Sequence, residues 1–201
     1  MNTVYKRSYA PLKINKREIL RYIGAREESE SLSKLIDECL YEIEGKLCYN
    51  VCYAEFPVNI GDRVDLGFMS VDSKDLKKNL IGCESVIAFA ATVGLEIDRI
   101  VARNAVFSQT KALIFDGIGA ERIESLCDAF NDDMKAEKAR EGYSLCPRFS
   151  AGYGDFPISA QRDIFAVLDC QRKIGLSLSD SLLMTPKKSV TAIIGVKRTL
   201  L

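Results

Sequence analysis

The stretch from Pro147 to Pro157, Pro-Arg-Phe-Ser-Ala-Gly-Tyr-Gly-Asp-Phe-Pro, concentrates residues able to hold a small polar ligand. Arg148 offers a fork of donors that matches a carboxylate in two-point contact. Tyr153 offers an aromatic face that attracts a cation. Ala151 is small, and Gly152 and Gly154 let the backbone approach a ligand closely or adopt positive φ. An arginine for a carboxylate and a ring for a cation suit a ligand bearing both groups. The same residues would also make a tight surface turn with a structural arginine, and chemistry alone leaves both readings open.

Other chemistry is excluded by composition. The chain has no histidine, which removes Ser-His-Asp and Cys-His catalysis, histidine-ligated zinc and the commonest general acid/base. Its seven cysteines, at 39, 48, 52, 83, 127, 146 and 170, are scattered, odd in number and without a CxxC pair. They read as reduced, mostly buried thiols rather than as a metal site. Cys146 lies nearest the loop, yet no histidine is present to activate it as a nucleophile. Lys plus Arg equals Asp plus Glu at 28 each, so no overall field favours nucleic acid or an anionic membrane. No apolar run approaches the roughly 20 residues of a membrane span. The basic N-terminus has no apolar region behind it, so a cytoplasmic protein is expected.

The elements that must position the loop follow from periodicity. Apolar composition of 47% supports one globular domain over residues 1–201. A short helix is expected over Lys16–Ile23, closed by Gly24. Leu32, Leu35, Ile36, Cys39, Leu40, Ile43 and Leu47 form one helical stripe. Cys48–Phe56 and Arg63–Met69 read as strands of a hairpin turning at Asn59–Asp62. Ser73 is expected to cap a helix to Leu80, and Ser85–Val93 suits a strand buried on both faces. Leu95–Asn104 resumes helical spacing. Ser108 should cap a long helix over Gln109–Arg140 with Ile123, Leu126, Cys127 and Phe130 inward. Ser159 should open a helix to Leu168, and Ser189–Val196 reads as a strand. Asp116-Gly117-Ile118-Gly119-Ala120 is half of a dinucleotide loop, but it sits in a helical pattern and better suits close helix packing. Without a repeated βαβ rhythm the class is α+β: a central, mainly antiparallel sheet with flanking helices.

The loop resembles the activation domain of cobalamin-dependent methionine synthase. That family carries Arg-x-x-x-Gly-Tyr with a proline four residues on, and Arg148, Gly152, Tyr153 and Pro157 stand at those intervals. A second block, Leu178-Ser179-Asp180-Ser181-Leu182-Leu183-Met184-Thr185-Pro186 followed by Ser189-Val190, resembles the family's Leu-(Ser/Thr)-acid-Ser-x-x-Met-x-Pro-x-x-Ser-Val pattern. Looser likeness extends back over Ala91–Gly94, Asp98 and Ile123–Asp128. It covers about the C-terminal half; the first eighty or so residues do not align.

The resemblance implies a protein that binds S-adenosylmethionine. Arg148 would bind the methionyl carboxylate, Ala151 and Gly152 would contribute backbone contacts, and Tyr153 would lie near the sulfonium. Glu124 is the match for a helix glutamate that approaches the ligand; spacing alone would place it with Glu121 and Asp128 on a solvated acidic face. It further implies reductive reactivation of a cobalamin carried by a partner methionine synthase lacking its own activation domain, with electrons from a flavodoxin-like donor. A histidine-free chain fits, because the cobalt makes the bond and no general base is needed. Two departures stand out: Thr185 replaces an aromatic residue of the long enzymes, and their extra C-terminal segment is lacking. The alternative is a non-catalytic module that kept the fold and docks on a corrinoid protein without binding S-adenosylmethionine.

Overall fold

Two long apolar strands, buried along most of their length, place a sheet at the centre of the molecule. The computed structural model describes residues 2–27 and 29–199. Its main sheet is built from β1 (Tyr5–Tyr9), β2 (Tyr49–Pro57), β6 (Cys83–Thr92), β7 (Tyr143–Leu145) and β10 (Ser189–Arg198), in the order β1-β2-β6-β10-β7, every pairing antiparallel. Two minor sheets join β3 (Asn59–Ile60), β4 (Val64–Asp65) and β5 (Ser70–Val71), and β8 (Ser177–Leu178) with β9 (Met184–Thr185).

β6 is buried on both faces, as its unbroken apolar run requires. Ile87, Phe89 and Ala91 point to one core, and Val86, Ala88 and Ala90 to the other. The first core is covered by α1 (Lys16–Tyr22), α2 (Glu30–Ile43), α4 (Glu96–Phe107) and α5 (Gln109–Arg140). The ring of Phe130 in α5 packs tilted against Phe89 and Tyr53, with centroids 4.9 and 5.1 Å away. Burying each such ring contributes about 1.5–3 kcal/mol. The second core is covered by α3 (Lys74–Asn79), α6 (Gln161–Leu168) and α7 (Cys170–Ile174), together with Ala151 and Phe156 of the loop.

The antiparallel α+β architecture, the Ser73 and Ser108 caps and the span of α5 agree with the sequence reading. So does the close packing around Gly117 and Gly119: a Cβ would stand 2.5 Å from Ile23 Cγ2 at the former and 2.8 Å from Ile97 Cγ1 at the latter. The expected hairpin is different. β2 pairs with β1 and β6, while Asn59–Ile60, read as the turn, forms a strand against Val64–Asp65. Ser159 lies in a 3₁₀ turn over Ile158–Ala160, and α6 starts after it without a side-chain cap. Glu121 is not on a solvated face. It is 1% exposed and paired with Arg122, whose guanidinium also donates to the Leu12 and Lys13 carbonyls at 2.6 and 2.8 Å.

Candidate functional site

The segment after β7 runs extended along β10. Cys146 N–H donates to Gly195 O at 2.8 Å, and Phe149 exchanges two 2.9 Å hydrogen bonds with Ile193. Side chains of an extended segment alternate. Phe149 therefore packs against the second core, while Arg148 reaches α5.

The chain then turns sharply. Tyr153 N–H donates to Ser150 O at 3.1 Å and Gly152 N–H to Phe156 O at 2.8 Å. Gly152 takes φ +94°, and a Cβ there would press on Ile158 Cδ1 at 3.1 Å. Asp155 anchors the far side: its carboxylate accepts from the Ser73 hydroxyl, from Lys74 N–H at 2.7 Å and from Asp75 N–H at 3.1 Å. Those donors, the Ser73 hydroxyl foremost, hold its carboxyl below the usual carboxylate range.

This geometry encloses a cavity of about 380 Å³, within the range of small-molecule sites. Arg148, Ala151 and Tyr153 line it from the loop, Glu124 from α5, Gln161 from α6, and Met184, Ser189 and Val190 from the second motif. Gly152 does not line it; it shapes the turn that presents its neighbours. Thr185 is exposed and also outside the lining. Asp98 accepts from Lys187 N–H at 2.7 Å, fastening the second motif to α4.

Arg148 donates through Nη2 to Asp128 at 2.9 Å and to Glu124 at 3.4 Å. Its Nη1 is buried with no acceptor. One guanidinium faces two carboxylates here, so the region carries uncompensated negative charge suited to a net cation. Tyr153 is 69% exposed and also lines an adjoining cleft of about 590 Å³ with Cys146, Asp75 and Lys197. Cys146 Sγ lies 3.5 Å from Cys83 Sγ, and burial pushes the Cys83 thiol up to about 12. A Cys83 thiol held neutral supplies no charge to activate a neighbouring nucleophile. Among the described residues no group of three His, Cys, Asp or Glu could hold a metal ion, and no helix is long and apolar enough to cross a membrane.

A larger cavity of about 1030 Å³ opens between the N-terminal segment, α2 and α5, lined by Lys13, Tyr41, Tyr49 and Arg122 among others. It contains none of the expected ligand residues Glu124, Arg148, Ala151, Gly152 and Tyr153, and every side-chain nitrogen of its Arg122 has an acceptor. The smaller cavity is lined by residues of both motifs and by two side chains with unpartnered buried atoms, Arg148 Nη1 and Gln161 Oε1, and it is the better site. Gln161 also lines it, and an isolated glutamine at a helix start has no sequence signature.

The fold is an α+β domain in which an arginine-glycine-tyrosine loop lines a cavity of small-molecule size. The family model for the vitamin B12 dependent methionine synthase activation domain matches residues 76–199, well over half of the chain, and the chain belongs to that family. Among solved structures, the crystal structure of the MetH reactivation domain bound to AdoHcy is similar, with a TM-score of 0.66 at 16% identity, over 96% of this chain and 78% of that one. The likeness of fold thus includes the N-terminal region that lies outside the family match. Comparison with curated protein sequences gives no significant match.

Proposed function

We propose that this protein binds S-adenosylmethionine in the 380 Å³ cavity and presents its methyl group to a cobalamin carried by a partner methionine synthase that lacks an activation domain. One observation carries the reading: two motifs separated in sequence, Arg148–Tyr153 and Met184–Val190, meet with Glu124 on the wall of one cavity. Arg148 has a free buried donor for the methionyl carboxylate. Glu124 and the ring of Tyr153 suit the ammonium and the sulfonium. Tyr153 stands between the cavity and the adjoining cleft, where a methyl group would be offered outward.

Cobalamin, when docked, supplies the reduced cobalt nucleophile that accepts the methyl group, and a flavodoxin-like donor supplies the electron. The chain's own task is positioning. The loop is held by β10 on one side and, through Asp155, by the start of α3 on the other, so the carboxylate and sulfonium contacts are preorganised. No residue of this chain is required to move a proton.

A docking module without ligand is favoured by one observation, the engagement of Arg148 Nη2 by Asp128 and Glu124. Equilibrium dialysis with labelled S-adenosylmethionine, run beside capture of a cobalamin-loaded methionine synthase fragment, separates the two. Saturable ligand binding together with capture supports the proposal; capture with no ligand bound supports the docking module.

A further inference from the structure

We infer that Gln161 is a specificity contact of this cavity, accepting a hydrogen bond from a neutral N–H or O–H donor on the nucleoside end of the ligand. The inference rests on the reading of the cavity as an S-adenosylmethionine site. Gln161 is 5% exposed, lines the same cavity as Arg148 and Tyr153, and its Oε1 is buried with no hydrogen-bond partner. An orphaned buried carbonyl is destabilising, because it has given up water without gaining a partner. Native proteins rarely leave such a group unmatched, and a ligand donor would satisfy it.

Charge selects which donor. Gln161 is the first residue of α6, at the positive end of the helix dipole, where a neutral donor is better tolerated than an ammonium. The cationic parts of the ligand have other partners, Glu124 and the ring of Tyr153. The remaining donors of S-adenosylmethionine are the ribose hydroxyls and the exocyclic amine of adenine. Sites that hydrogen-bond a substrate group discriminate strongly against analogues lacking it, because the protein group is then left unpaired. Gln161 would in this way restrict the site to one nucleoside.

The test is a titration of wild type, Gln161→Leu and Gln161→Met with S-adenosylhomocysteine and three analogues: S-inosylhomocysteine and the 2′-deoxy and 3′-deoxy forms. Wild type should lose about 10- to 50-fold with the one analogue that lacks the contacted donor. Both variants should bind S-adenosylhomocysteine about 10- to 50-fold more weakly and treat that analogue no worse. The free variants should melt no lower than wild type, since they remove an unsatisfied carbonyl; a purely structural glutamine would lower the melting temperature instead. Unchanged binding by both variants overturns the inference and leaves the site assignment standing. Weakened binding with every analogue penalised as in wild type also overturns it. Absence of any binding by wild type overturns both.

Discussion

Arg148 Nη2 and Asp128 Oδ1 stand 2.9 Å apart, so the guanidinium expected to grip a ligand carboxylate already has a carboxylate partner within the chain. Asp128 is 68% exposed and contributes the modest energy of a surface pair, about 0.2–1 kcal/mol. A ligand carboxylate in two-point contact would use Nη2 beside the free Nη1, so Asp128 competes for one of the two donors. Asp128→Asn should therefore tighten S-adenosylhomocysteine binding by about two- to five-fold at low salt, measured by calorimetry. Weaker binding would mean that Asp128 orients Arg148 rather than competing for it.

Asp155 couples the loop to α3. Its folded pKa lies below the unfolded value, so its stabilisation is present above about pH 4 and lost as pH falls through the depressed value. Urea denaturation should show Asp155→Asn less stable than wild type at pH 7, with the gap closing toward pH 2. Ser73→Ala removes both the α3 cap and a donor to Asp155, and should cost about 1 kcal/mol or more. A pH-independent gap for Asp155→Asn would show that its charge is not what holds the loop.

Arg122 and Glu121 are 2% and 1% exposed and pair at 2.5 Å. Arg122 also binds two carbonyls of the N-terminal segment, and Asn15 N–H donates to Glu121 at 3.0 Å. Removing one member strands a buried charge. Arg122→Leu should cost about 3–5 kcal/mol by urea denaturation, with Arg122→Leu/Glu121→Leu losing less than Arg122→Leu alone.

Gly117 and Gly119 let α5 approach α1, α4 and Lys188. Alanine gains up to about 1 kcal/mol of helix propensity. Overpacking costs about 1–3 kcal/mol, because the Ile23 and Ile97 contacts leave no room for a methyl group. Gly117→Ala should thus lower the unfolding midpoint; a rise would show that α1 can withdraw freely.

The strongly periodic parts of the fold were legible in the sequence. α5 was bounded by its Ser108 cap and its apolar stripe, and β6 by an unbroken apolar run. Weakly patterned elements were not. β1 reads Tyr-Lys-Arg-Ser-Tyr, an edge strand with little buried surface, held by backbone pairing to β2. β7 is three residues long and carries no periodicity. Glu121 looked solvated because helical spacing does not reveal that Arg122 and the N-terminal segment fold over it. Of the residues singled out by the resemblance, Arg148, Ala151, Tyr153 and Glu124 line one cavity and Gly152 does not. Gln161 joins them only through the placement of α6.

The most direct test compares wild type and Arg148→Ala in a calorimetric titration with S-adenosylhomocysteine. Loss of a charged, hydrogen-bonded carboxylate contact costs on the order of 2–5 kcal/mol, which is about 30-fold or more in affinity. Wild type should show saturable one-site binding, and the folded variant a loss of at least that size. Equal affinity in the two proteins, or no binding by wild type, would contradict the site assignment.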